Sequence, residues 1–137
     1  MRTIRVACAV IRFGEKILAV QRSEHMRMPL KWEFPGGKLE DGEDPIDCIH
    51  REILEELHIT IAIERALEPV HYTYPDFQIE LLPFLARHVS GQLQLMEHKA
   101  YLLLSQDELM DLDWAEADVP VLEEIQLSKR QDPKFRD

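Results

Sequence analysis

Glycine is scarce in this chain of 137 residues, with five positions, and cysteine is scarcer, with two. So little glycine, alongside eight prolines, excludes a linker-like or low-complexity protein. Cys8 and Cys48 cannot build a disulfide framework, and neither belongs to a CxxC pair. A reduced, cytoplasmic protein with two buried thiols is expected. No apolar run approaches the roughly 20 residues that span a bilayer. No signal-length apolar stretch follows Met1 either, so no membrane association is expected. Basic charge is also short: 16 Lys and Arg stand against 26 Asp and Glu, a formal net charge of −10. That deficit argues against a nucleic-acid partner, whose backbone wants a basic face. It leaves room for a small anionic substrate, provided divalent cations stand between its charges and those of the protein.

What is present is globular: 45% of residues are apolar and 31% charged. The length suits one domain, placed at residues 1–128, with a polar tail over 129–137. β-branched stretches predict strands over 4–12 and 16–22, joined at Phe13-Gly14-Glu15. A loop with Met26, Met28 and Pro29 follows, then a short strand at Trp32-Glu33-Phe34 stopped by Pro35-Gly36-Gly37. Asp44 as cap, Pro45 at the first turn, and Ile46, Ile49, Ile53 and Leu57 at helical spacing predict a helix ending near His58. Strands are predicted over 59–66, 68–74, 77–89 and 99–104. Ser105 and Glu108 form a capping box, and a last helix opens at Asp118-Val119-Pro120, burying Val121, Leu122, Ile125 and Leu127. Strands, helix, strands, helix predict an α/β (α+β) fold, a mixed sheet with helices on its faces.

The chemistry concentrates in residues 36–59. Glu52, Glu55 and Glu56 lie at i, i+3 and i+4, on one side of the predicted helix. Like charges so placed cost a bare helix about 0.2–0.5 kcal/mol per pair. Hard oxygen ligands in a row suit Mg²⁺ or Mn²⁺ rather than zinc. Glu43 adds a carboxylate before the helix, and Arg51, four residues ahead of Glu55, can hold a carboxylate in place. Gly36 and Gly37 permit a close backbone path, while Lys38 and Arg22 can reach phosphate oxygens. A solvated helix face also shows three glutamates at this spacing. The paired glycines, Glu43 and the Arg51-Glu52 pair point instead to a site.

These residues, Gly37, Glu43, Arg51-Glu52, Ile53, Glu55-Glu56 and Ile59, resemble the signature of the Nudix hydrolases, with no gap. His58 departs from it, standing where the family has glycine. A left-handed His there costs about 1 kcal/mol. Trp32 to Glu43 (WEFPGGKLEDGE) and the preceding Gln21-Arg22 are similar to the MutT-like nucleoside triphosphate pyrophosphohydrolases of that family. The resemblance implies the Nudix α/β/α sandwich with a central mixed sheet.

It also implies hydrolysis of a nucleoside triphosphate to the monophosphate and pyrophosphate, in a monomer or homodimer. Glu52, Glu55, Glu56, Glu97 and the Gly36 carbonyl would ligate Mg²⁺ or Mn²⁺. Glu52, Glu55, Glu97 and Arg51 form the catalytic set, with Glu97 favoured as base over Glu52. His98 is its competitor, although a lone loop histidine is expected to be exposed. Arg22 and Lys38 would bind phosphates; Phe34, Phe77 and Asp118 would meet the base. Asp118 stands where relatives that select 8-oxoguanine carry Asn. Its Ala-Asp-x-Pro setting is similar to the CTP-type enzymes, and an ionised Asp accepts from the cytosine amine. A cytidine-type nucleotide (CTP, dCTP or 5-methyl-dCTP) is therefore narrowly favoured over 8-oxo-dGTP, whose oxidised purine a protonated Asp118 in a dry pocket would read. A nucleotide sugar or dinucleotide comes behind both, as does a non-catalytic nucleotide-sensing module. Asp118 is equally well placed to cap the last helix.

Overall fold

The computed structural model describes residues 1–131. Strands β1 (Thr3–Phe13) and β2 (Lys16–Gln21) form the expected hairpin. Two short strands follow, β3 (Trp32–Glu33) and β4 (Gly36–Lys38). Helix α1 (Pro45–Leu57) comes next, then β5 (Thr60–Ala66), β6 (Val70–Thr73), β7 (Gln78–Ser90) and β8 (Ala100–Leu104). A 3₁₀ turn at Glu108–Asp111, another at Glu116–Asp118 and helix α2 (Val119–Gln131) complete the order. The first part of the expected polar tail is therefore helical, and its residues 132–137 lie outside the described residues. No helix among the described residues is long and apolar enough to cross a membrane.

The strands make one mixed, eight-stranded sheet. β1 runs parallel to β7 and antiparallel to β2 and β4. β5 and β6 pair with β7, while β3 and β8 pair with β2. β1 is buried on both faces. Ala7, Ala9 and Ile11 pack with Ile49, Ile53 and Leu57 of α1. Cys8 and Val10 pack with Val121, Leu122 and Ile125 of α2. The period of two divides one apolar run between two cores. The expected sheet between helices is what forms.

Local signals hold where short-range chemistry sets them. Asp44 accepts from the Ile46 N–H at 2.8 Å and Pro45 opens α1. His58 ends it in the left-handed region at φ 60, donating to Leu54 O. Ser105 and Glu108 make half of their capping box, with the Ser105 N–H on Glu108 Oε1 at 2.9 Å. Three expectations change. Ile46 in the first turn is 41% exposed, so Cys48 joins Ile49, Ile53 and Leu57 on the buried face. Leu127 is 61% exposed and adds nothing to the α2 core. β3 stops as expected, already at Glu33, but Pro35-Gly36-Gly37 is more than a stop: Gly36–Lys38 re-enters the sheet against β1. A Cβ at Gly36 would overlap the Ala7 carbonyl oxygen, so this approach needs bare backbone.

Candidate active site

Helix α1 presents its acids beside β4. Arg51 organises them: its Nε donates to Glu43 Oε2 at 2.8 Å, and its two terminal nitrogens reach Glu43 Oε1 and Glu52 Oε1, each at 2.9 Å. Glu55 Oε2 lies 3.4 Å from the same guanidinium and is mostly exposed. The Arg51 bonds, with the Glu40 N–H behind them, hold the Glu43 acid down at about 2. Glu43 thus serves as the anchor of Arg51. The Glu52 carboxylate rests on Gly37, where a Cβ would overlap it.

Glu56 is the outlier. Its Oε2 is buried without a hydrogen-bond partner. Burial first, then Glu52 and the charges of Glu97 and Glu33, push its acid from the usual 4.5 to about 9. A carboxylate so placed takes a proton or a cation. Among the described residues, no three acidic, histidine or cysteine side chains are drawn around one point as an occupied cation site would have them. Arg51 occupies the Glu52 and Glu55 oxygens instead. The donor set nevertheless fits a hard divalent cation. It is all oxygen, it crowds negative charge, and it contains an orphaned buried oxygen.

A cavity of about 340 Å³ opens on the α2 side of the sheet. It brings together Arg22, Phe34, Gly36, Gly37, Lys38, Phe77 and Asp118 from segments distant in sequence. Gly37 thus lies under Glu52 and in the cavity wall, joining the two places. Phe34 is buried, its ring 4.6 Å from that of Trp114. Phe77 stacks on Tyr74 at 5.0 Å and carries the Arg27 guanidinium 4.8 Å above it.

Asp118 does not take the capping role. It closes the 3₁₀ turn ahead of α2, is 6% exposed, and its Oδ2 accepts the Phe34 N–H at 2.7 Å. Burial first, then the Glu33 charge, push its acid well above the usual range. Of the two forms the sequence leaves open, this favours the protonated carboxyl over the ionised acceptor. The cause is burial, which outweighs the Phe34 N–H and the Arg22 charge.

Arg22 and Glu97 are placed less simply. Arg22 commits NH1 to Glu33 Oε1 at 2.8 Å and Nε to the Arg27 carbonyl at 2.5 Å. Lys38 is exposed at the cavity. Glu97 is exposed and close enough for its charge to raise the Glu56 acid. His98, expected at the surface, is buried, with Nε2 on Glu33 Oε2 at 2.8 Å. The sequence reading passed over Glu33, Arg2, Arg27 and Cys8, all in the cavity wall. Only the glutamate of the Trp-Glu-Phe run carried any signal, as a charge inside a short apolar strand.

A model of the NUDIX domain matches residues 1–129. The chain is 32% identical over 123 residues to the CTP pyrophosphohydrolase of Escherichia coli K12, covering 90% of this chain and 91% of that one. It is 34% identical over 93 residues to the 8-oxo-dGTP diphosphatase of the same strain, covering 67% of this chain and 72% of the relative. The solution structure of the E. coli ORF135 protein is similar at a TM-score of 0.85 and 31% identity, over 97% of this chain and 95% of that one. A family match along nearly the whole chain, with relatives that cleave pyrophosphate linkages, settles the class: this chain belongs to the Nudix family and is a hydrolase of phosphoanhydride bonds.

Proposed function

We propose that the protein hydrolyses a nucleoside triphosphate to the monophosphate and pyrophosphate, with a cytidine-type base as its first substrate. Glu52, Glu55, Glu56 and Glu97, with the Gly36 carbonyl, would hold Mg²⁺ or Mn²⁺. A bound cation supplies charge neutralisation on the phosphates and a water of lowered pKa. Arg51 keeps Glu52 turned toward that place, its NH1 on Oε1 at 2.9 Å. Glu97 accepts the proton of the attacking water. Lys38 takes a phosphate oxygen; Arg22, with two donors committed inside the protein, is the lesser phosphate contact. Phe34 and Phe77 bound the base.

The observation that carries the substrate reading is Asp118, buried at the cavity and held there by the Phe34 N–H. A carboxyl so fixed meets a base edge that offers an amine beside a ring nitrogen, as cytosine does. The CTP pyrophosphohydrolase also covers more of the chain than the 8-oxo-dGTP diphosphatase does. The raised acid of Asp118 favours a second reading: a protonated carboxyl donates, which suits the acceptor edge of an oxidised guanine. Pyrophosphate release with Mg²⁺ from CTP, dCTP, 5-methyl-dCTP, dGTP and 8-oxo-dGTP separates the two. Cytidine preference is expected. Selective turnover of 8-oxo-dGTP replaces the first reading by the second, and no turnover of any of them removes both.

A further inference from the structure

The His98 side chain is 3% exposed. Its Nε2 lies 2.8 Å from Glu33 Oε2, while its Nδ1 is buried with no partner. The tautomer that leaves no buried donor unpaired carries the hydrogen on Nε2 and gives it to Glu33. One atom of the ring therefore does all its polar work. Glu33 is fixed independently, because its other oxygen accepts from Arg22 at 2.8 Å. His98 thus ties its own backbone to a carboxylate that is already anchored on β3.

That backbone carries Glu97. On one side of it, the Met96 and Gln94 N–H groups donate to Glu56 O and Leu57 O, at 3.2 and 3.0 Å, the last carbonyls of α1. On the other side, the Lys99 N–H donates to Gln21 O at 2.9 Å. The connection is clamped to α1 before Glu97 and to β2 and β3 after it. Glu97 itself is exposed, so its place beside Glu56 is set by these clamps.

We propose that His98 is a positioning residue for the reaction: its Nε2–H on Glu33 holds Glu97 beside Glu56. The role rests on the reading of Glu97 given above. Gln places an amide N–H where the histidine Nε2 stands. Asn places its amide near Nδ1 and cannot reach Glu33. Because Nδ1 has no partner, Gln forfeits no bond that the ring makes.

The test compares His98→Gln and His98→Asn in kcat, KM and amide hydrogen exchange at Met96. Since Arg22 still holds Glu33 in both variants, His98→Asn is expected to lower kcat by about tenfold or more, with KM within about threefold of wild type. Exchange at Met96 should quicken in His98→Asn, and His98→Gln should stay close to wild type in all three readouts. Equal behaviour of the two variants overturns the proposal, as does a loss in His98→Asn confined to KM. Should His98→Asn not fold, His98→Leu, which fills the space without a donor, takes its place. If the wild type hydrolyses no nucleotide, the functional reading above fails, and Met96 exchange alone decides whether His98 clamps the connection.

Discussion

On the α1 side of the sheet, charge is crowded and answered by charge: Glu43, Glu52 and Glu55 share Arg51, and Glu56 is left over. On the α2 side the cavity mixes aromatic and aliphatic walls with a few charged groups, Asp118 buried among them. There Asp118 bonds a backbone N–H, and Arg22 acts on it only through its charge. The same side-chain chemistry diverges accordingly. Glu43 is held at about 2 by an arginine, whereas Asp118 is pushed up by burial. On the proposed function, the first side holds a cation against phosphates and the second sorts bases by hydrogen bonding. A change on one side should therefore alter rate for every base alike, and a change on the other should alter choice.

The largest effect is expected at Glu52 and Glu56. Glu52→Gln or Glu56→Gln should lower kcat by about 10²–10³-fold for all nucleotides, measured as pyrophosphate release. A change in base preference instead would break the division between the two sides. Gly37→Ala comes next, because its new methyl would displace the Glu52 carboxylate that rests on Gly37. A loss of about 10²-fold in kcat is expected, since misplacement by about 1 Å suffices for that.

Asp118→Asn should change discrimination between CTP and 8-oxo-dGTP by about 10–200-fold in kcat/KM while the better substrate keeps most of its rate. Asp118→Ala should cost about 1–3 kcal/mol in denaturant unfolding, because the buried Phe34 N–H loses its acceptor.

Metal removal gives a smaller effect, read as a slope. In the folded, metal-free protein Glu56 keeps its proton up to about 9, against 4.5 ordinarily. The folded state then binds more protons than the unfolded one between those values. Stability is full below 4.5 and falls as pH rises toward 9. Melting temperatures in EDTA should decline over that range, and Glu56→Gln or added Mn²⁺ should flatten the decline. The least effect belongs to Arg27→Ala. Loss of its exposed ion pair with Asp76 and of its contact over Phe77 together should cost about 1 kcal/mol in denaturant unfolding.

The two sides also differ in how far the sequence disclosed them. The acids of α1 sit in one helix, where spacing alone puts Glu52, Glu55 and Glu56 together, and a continuous signature resembled a family. Asp44, Pro45 and His58 marked the helix ends because caps are local chemistry. The cavity could be named only by resemblance. Its wall takes Cys8 from β1, Glu33 from β3, Phe77 from just before β7 and Asp118 from before α2. No local pattern binds these positions. His98 shows the limit well: a histidine in a polar stretch reads as exposed until β8 pairs with β2 and turns it onto Glu33.

Periodicity, capping and the acid pattern of α1 were thus set by the chain's order of residues, since each involves neighbours within a turn or along a strand. Which carboxylate is ionised, which is orphaned and which is buried depended on folding. Proton affinity follows from burial and from charges brought near across the sheet. Glu43, Glu56 and Asp118 are all carboxylic acids in the sequence, and they part only when Arg51 arrives beside the first and burial takes the other two.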